Sequence, residues 1–316
     1  MLARPYSEAD AGKWDNFCAQ SFMATFLHTR RFLSYHGDRF RDVSLILEED
    51  GRCLGLLPAA LDPGDATHVI SHPGITFGGM IHQGALRGGR MIEALEVASR
   101  YFSGQGCRRF TYKAVPHIYH RVPAQDDLYA LFRLGAIRSR CEISCAIELK
   151  NRLPASERRR RSARKAAKAG IEIAVGQRFA EALWVVLQDN LARKHDVRPV
   201  HTIAEMLQLA ELFPDNIQFI AGVLRGRVEA GVVLFTAPAT WHAQYIAASP
   251  AAYEVCALDA VFEYCIAESI AGGARWFDFG TSNERGGAVL NQGLYQFKIE
   301  FGGGGVAHEF YSLVIS

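Results

Sequence analysis

Twice along this 316-residue chain the apolar pattern runs through one order of elements: helix, hairpin, strand, helix, strand. That repetition constrains the fold more than any single motif does. In the first pass Trp14, Phe17, Cys18 and Phe22 have helical spacing, strand-like Val43–Leu47 follows, and Asp50-Gly51 separates it from a second strand through Leu54–Leu61. An Asp-Gly between two apolar runs is a hairpin signal. A glycine-rich stretch at 74–89 then leads to an amphipathic helix over about Arg90–Phe102, a strand at Arg109–Lys113 and another at Ile137–Leu149. The second pass has helices at about Ala180–Lys194 and Ile203–Leu212, a strand pair around Arg225-Gly226, a strand at Trp241–Ala247 and a helix at Ala257–Ile270. Gly272-Gly273 then opens a strand centred on Asp278. This order predicts an α/β fold with mixed sheets flanked by helices, in two domains spanning 1–150 and 173–316. Residues 151–172 are expected to join them as a basic helix.

Composition bounds the function. With 49% hydrophobic residues the chain can bury a large core, and no apolar run approaches the roughly 18 residues a membrane-spanning helix needs. Met1–Arg31 has no charged start followed by an apolar block, so the cytoplasm is the expected location. Seven cysteines without a C-x-x-C pair suggest reduced thiols rather than a disulfide framework or a zinc knuckle. A net charge of +2 argues against a surface devoted to nucleic acid. The basic charge is uneven, however: Arg158, Arg159, Arg160, Arg161, Arg164, Lys165 and Lys168 crowd one segment. Ser156 suits its N-cap and Gly170 its stop. Such a run is either a solvated connector or a site for the phosphates of a nucleotide-linked substrate, a CoA tail or a tRNA, with Arg158, Arg161 and Lys165 sharing one face.

Residues 276–305, WFDFGTSNERGGAVLNQGLYQFKIEFGGGG, carry the densest chemistry. Trp276, Phe277 and Phe279 fit a packed sheet, and Asp278 puts among them a carboxylate that is costly to bury without a partner. A polar loop follows, then Tyr295-Gln296-Phe297-Lys298. This stretch resembles the C-terminal signature of the Fem-like, tandem branch of the GNAT acyltransferase superfamily through Phe277-Asp278-Phe279-Gly280, Phe297-Lys298 and Phe301-Gly302-Gly303. A second block, KAVPHIYHRVPAQDDLYALFRLGA at 113–136, resembles the end of the first half of such proteins. The repeated element order is that of a GNAT domain, so the resemblance implies two tandem GNAT-like domains. It further implies an N-acyltransferase, and the second half is expected to hold the reacting carbonyl because only it pairs the Asp278 strand with a polar loop and Lys298. In a GNAT fold two adjacent strands splay, and here they would be Trp241–Ala247 and Arg275–Phe279.

Acyl transfer to an amine needs a neutral nitrogen, a bound donor carbonyl and positive charge or N–H groups where the oxyanion forms. The resemblance places Lys298 at the substrate cleft, to stabilise an oxyanion, carboxylate or phosphate; the other reading is a fold-holding ion pair with Asp278 or Glu300. Asp278 either orients the amine or accepts its proton, or else caps the following loop. His242 is either a general base, since imidazole ordinarily ionises near neutrality, or structural. Strand alternation predicts His242 and Gln244 on one face and Tyr245 on the other. Asn283, Glu284 and Arg285 occupy a loop suited to acceptor contact, with Gln244, Tyr245 and Tyr295 as further substrate-binding candidates. In the first half Tyr119 and His120 belong to a polar cluster with Lys113, His117 and Arg121. His117-x-x-His120 lacks a third ligand at a supporting spacing, so no metal is expected.

The expected reaction moves an acetyl group from acetyl-CoA to a nucleotide-linked amino sugar or a similar cell-envelope precursor. No Q/R-x-x-G-x-G/A pyrophosphate loop is present in Ala247–Cys256 or Gly78–Gly89, which keeps a second donor, aminoacyl-tRNA, in play. A third reading is a nucleotide or nucleic-acid binding module without catalysis.

Overall fold

A computed structural model describes residues 1–195 and 199–315. The chain packs as two compact units, and neither is contiguous. The first comprises Met1–Ile143, Asn283–Val289 and Ala307–Ser316; the second comprises Ser144–Ser282 and Leu290–Val306. Where the sequence suggested domains at 1–150 and 173–316, packing thus gives two late segments to the first unit. It also gives the basic helix to the second.

In the first unit, strands Leu2–Pro5, Leu45–Glu49, Arg52–Leu57 and Ile81–His82 form a four-stranded sheet. Asp50 and Gly51 both adopt positive φ, 51° and 75°, as a tight two-residue hairpin turn requires. The strand expected through Leu61 stops at Leu57, because Pro58 has no N–H to give, and resumes at Ala60–Asp62. A second set runs Ala60–Asp62, Asp65–Ile70, Arg109–Lys113 and the C-terminal residues Phe310–Val314. Helices Gly89–Gly104 and Asp126–Arg133 close over a core that includes Leu45, Leu57, Phe102, Phe110 and Tyr112.

The second unit is built on six neighbouring strands in the order Ile137–Glu148 (its Ser144–Glu148 end), Trp276–Thr281, Thr240–Ala248, Arg227–Thr236, Ile217–Leu224 and Glu172–Val175. Every pairing is antiparallel except that of the His242 strand with the Asp278 strand. Alternation along the Arg227–Thr236 strand sorts the layers. Ala230, Val232 and Leu234 pack with Phe262 of helix Ala257–Ala271, whereas a Cβ on Gly231 would lie 2.7 Å from Leu183 of helix Ala180–His195. The sheet is therefore covered on both faces.

The basic helix, Glu157–Lys168, is no free connector. Its Arg159 is buried, pairing with Asp259 at 2.7 Å and Glu300 at 3.0 Å, with the rings of Phe297 and Phe301 at 4.6 and 5.6 Å. The N-cap is Ser156, as expected, its Oγ accepting from the Arg159 N–H at 3.2 Å. All seven cysteines are free. Among the described residues no helix is long and apolar enough to cross a membrane, and no group of three metal-ligating side chains converges.

Candidate active site

Two β-bulges shape the centre of the second unit. Along the His242 strand, Val233 faces Tyr245 and Leu234 faces Ala243, so Gln244 is an extra residue. It shifts the alternation: Ala243 and Ile246 both face the Phe262 cluster, while His242 and Tyr245 share the opposite face, where Tyr245 meets Trp184. The expectation that Tyr245 would point away from His242 fails for that reason. On the Asp278 strand, Phe279 and Gly280 together oppose the single residue Cys145. Gly280 has φ +78°, and a Cβ there would come within 3.3 Å of the His242 ring, so both backbone and space call for glycine.

The parallel pairing within these six strands runs Thr240–His242 against Trp276–Asp278 and then ends, so the two strands part directly beyond His242 and Asp278. At this point the buried Asp278 carboxylate is satisfied from several sides. Its Oδ1 accepts from the Ser144 hydroxyl and, at 2.9 Å, from the Gly280 N–H; its Oδ2 lies 2.9 Å from His242 Nδ1. The carboxylate is an acceptor, so Nδ1 carries the hydrogen and Nε2 is left with its lone pair. Among the described residues nothing bonds to that nitrogen. A buried aspartate that fixes the tautomer of a half-buried histidine is a general-base arrangement.

Lys298, on helix Gln292–Ile299, is 2% exposed. Its ammonium donates to the main-chain carbonyls of Gly280, at 2.9 Å, and Thr281, at 2.7 Å, while Glu300 is engaged by Arg159. Burial pushes its pKa down to about 8, against the pull of the Asp278 charge. The lysine thus ties down the strand end that carries Asp278. Lys298→Ala is expected to strand two buried carbonyls and cost about 3 kcal/mol of stability, measurable by urea unfolding; an unchanged midpoint would show that the carbonyls find other donors.

The remaining candidates divide between the units. In the second, the Tyr245 hydroxyl is 2.5 Å from His201 Nδ1 and its pKa is raised to about 12 by burial. The Gln244 amide oxygen is buried with no partner among the described residues, and Tyr295 packs against the Phe262 cluster. Arg158, Arg161 and Lys165 are exposed on the basic helix, with Arg161 held 3.0 Å from Glu157. In the first unit, Asn283 is committed to backbone, its Oδ1 accepting from Ile143 N–H at 2.7 Å; Glu284 and Arg285 are exposed, with Arg285 at φ 51°. The Tyr119 ring lies 4.4 Å from that of Phe77, tilted by 46°, and His120 Nε2 meets the Val115 carbonyl at 3.0 Å. Burial lowers the His120 pKa to about 4. Ser144 was not singled out in the sequence; its trace there is one small hydroxyl residue in the otherwise apolar Ile143–Ile147 run.

Residues 155–295 match the family model described as an acetyltransferase (GNAT) domain, a segment that contains both His242 and Asp278. That segment of the chain is similar to a GNAT domain. Solved structures agree on the fold across its whole length. FemX superimposes with a TM-score of 0.70 at 11% identity, covering 100% of this chain and 98% of that one. L-PGS from Bacillus licheniformis gives 0.66 at 12% identity, covering 98% and 93%. A tandem GNAT protein from the clavulanic acid biosynthesis pathway gives 0.54 at 12% identity, covering 99% and 97%. The fold is therefore a tandem GNAT fold. No curated protein matches the chain.

Proposed function

We propose that this protein is an N-acyltransferase that moves an acetyl group from acetyl-CoA to the amine of a nucleotide-linked amino sugar or similar cell-envelope precursor in the cytoplasm. The observation that carries the reading is the His242–Asp278 pair at the point where the two parallel strands separate. His242 Nε2 takes the proton of the attacking amine as the new C–N bond forms. The C–S bond of the thioester then breaks, giving an amide and a thiol, and the proton passes from the imidazolium to the thiolate or to water. Asp278 holds the imidazolium while it exists. Lys298 keeps the Asp278 strand end in register and adds positive charge beneath the forming oxyanion. Gln244, Tyr245 and Tyr295 in the second unit, and Asn283, Glu284, Arg285, Tyr119 and His120 in the first, are the candidate substrate contacts, with Tyr245 on the Trp184 side of the sheet and Tyr295 on the Phe262 side. Arg158, Arg161 and Lys165 receive phosphates.

The test is donor binding followed by transfer. Stability should rise by about 2.7 kcal/mol when CoA is present at a hundred times its dissociation constant, and acetyl-CoA with an amine panel should release free thiol. No shift and no thiol release would remove this donor. A second reading, with aminoacyl-tRNA as donor, draws on the basic helix, whose exposed Arg158, Arg160, Arg161, Arg164, Lys165 and Lys168 outnumber its single acid, Glu157. Transfer from charged tRNA that RNase abolishes would favour it.

Both readings give the basic face a job. Replacing Arg158, Arg161 and Lys165 with Gln leaves the buried Arg159 anchor intact, so the fold should persist. The KM for the phosphate-bearing substrate should rise about tenfold at low salt and less as salt screens the charges. Unaltered kinetics would return the helix to a solvated face.

A further inference from the structure

The base reading explains His242 and Asp278 but leaves unexplained why a fully buried serine 134 residues away gives its hydroxyl to the same carboxylate. Ser144 lies on the strand flanking Asp278 on the side away from His242. A serine inside an apolar strand ordinarily bonds to nearby main chain. Here the bulge at Phe279-Gly280 changes the register from Asp278↔Ala146 to Thr281↔Ser144, and the Ser144 hydroxyl meets Asp278 Oδ1. The Gly280 N–H reaches the same oxygen at 2.9 Å. Two donors on one oxygen fix the carboxylate plane and leave Oδ2 directed at His242 Nδ1. Three adjacent strands thus contribute one side chain each to a single line, Ser144, Asp278, His242.

We propose that Ser144 is a positioning residue for the histidine base: its hydroxyl locks the Asp278 carboxylate in the orientation that keeps the hydrogen of His242 on Nδ1. This rests on the reading of His242 as the base, but its consequence for the tautomer can be measured without any substrate. Ser144 does not touch the reacting atoms. Without it Asp278 Oδ1 keeps the Gly280 donor and the carboxylate stays buried, but one of the groups that set its plane is lost, and the bond it offers His242 is less well directed.

The experiment uses full-length protein with ¹⁵N-labelled histidine, the His242 ring signals being assigned with His242→Gln. The wild type should show a protonated Nδ1 and a bare Nε2. Ser144→Ala should convert this to a mixture of tautomers, and kcat should fall about tenfold with KM for the acceptor little changed, the scale of losing one hydrogen bond to a charged group. Ser144→Thr, which keeps the hydroxyl, should restore both. If the added methyl does not fit, Ser144→Cys, a weaker donor of similar size, should fall between. A single unchanged tautomer in folded Ser144→Ala, or a kcat loss without tautomer change, would overturn the proposal. If His242→Gln proves fully active while Ser144→Ala still alters the tautomer, the base reading fails and the positioning role stands.

Discussion

Asp278→Asn should fold normally and lose about a thousandfold or more in kcat. The substitution keeps size and shape, and the asparagine oxygen can still accept from the Ser144 hydroxyl and the Gly280 N–H, the two donors that hold Oδ1. The amide NH₂ then faces His242 Nδ1, 2.9 Å away, and donates where the carboxylate accepted. Nδ1 must become the acceptor, so the ring hydrogen moves to Nε2. The nitrogen that should take the amine's proton is blocked, and imidazolium is no longer stabilised. In an Asp-His pair of this kind such tautomer inversion costs far more than lost packing. His242→Gln removes the base outright and should cost a hundredfold to ten-thousandfold, about the range for general-base catalysis. Both variants should retain wild-type circular dichroism and donor-induced stabilisation, which separates chemistry from folding. Turnover within threefold of wild type in either would take the pair out of the mechanism.

Mild acid should unfold the first unit at a pH where the second is intact. Burial depresses the pKa of His28, His82 and His120 to about 4, and pushes that of His72 well below its ordinary range. An unfolded histidine titrates near 6.5, so between about 6.5 and 4 the unfolded chain binds more protons than the folded one. The stability these neutral rings contribute is present in full above 6.5 and is lost as pH falls toward 4. Asp127 acts in the opposite sense: burial raises its pKa to about 6, so on acidification the folded state takes its proton before the unfolded state does. Four histidines against one aspartate leave a net of about three protons, or roughly 4 kcal/mol per pH unit through the middle of the window. Two such units remove about 8 kcal/mol, comparable to the whole stability of a typical domain, about 5–15 kcal/mol. Hydrogen exchange at pH 7 and pH 5 should show protection lost first in peptides from strands Leu45–Glu49 and Arg109–Lys113, and later in Arg227–Thr236. Equal protection in both units at pH 5 would mean that the histidines are not held neutral in the core.

Much of this was legible from local chemistry. The Asp50-Gly51 hairpin follows from the positive φ that such a turn demands, and Arg225-Gly226, at φ 51° and 76°, turns in the same way. Ser156 reads as a cap because its hydroxyl reaches an N–H three residues on. Phe277 and Phe279 read as core because alternation sends both to one face, leaving Asp278 on the other. Gln244 defeated the same rule: a bulge is one unpaired residue in a ladder, and nothing in Ala243-Gln244-Tyr245 announces which residue the partner strand will skip. Arg159 was hidden within its run, since four successive arginines look alike until Asp259 and Glu300 select one of them.

The sequence by itself determined the order of elements, the two-fold repetition of the GNAT plan and the presence of a carboxylate inside an apolar strand, all of which depend on residues within a few positions of one another. Tertiary structure decided which groups meet that carboxylate. His242 reaches it from 36 residues away and Ser144 from 134, and Lys298 bonds to the main-chain carbonyls of its strand rather than to a side chain that a motif could name. Strand order, and the two bulges that set which residues lie opposite one another, are properties of the folded sheet, because pairing is chosen by the burial of whole faces and not by the few residues that later share a proton.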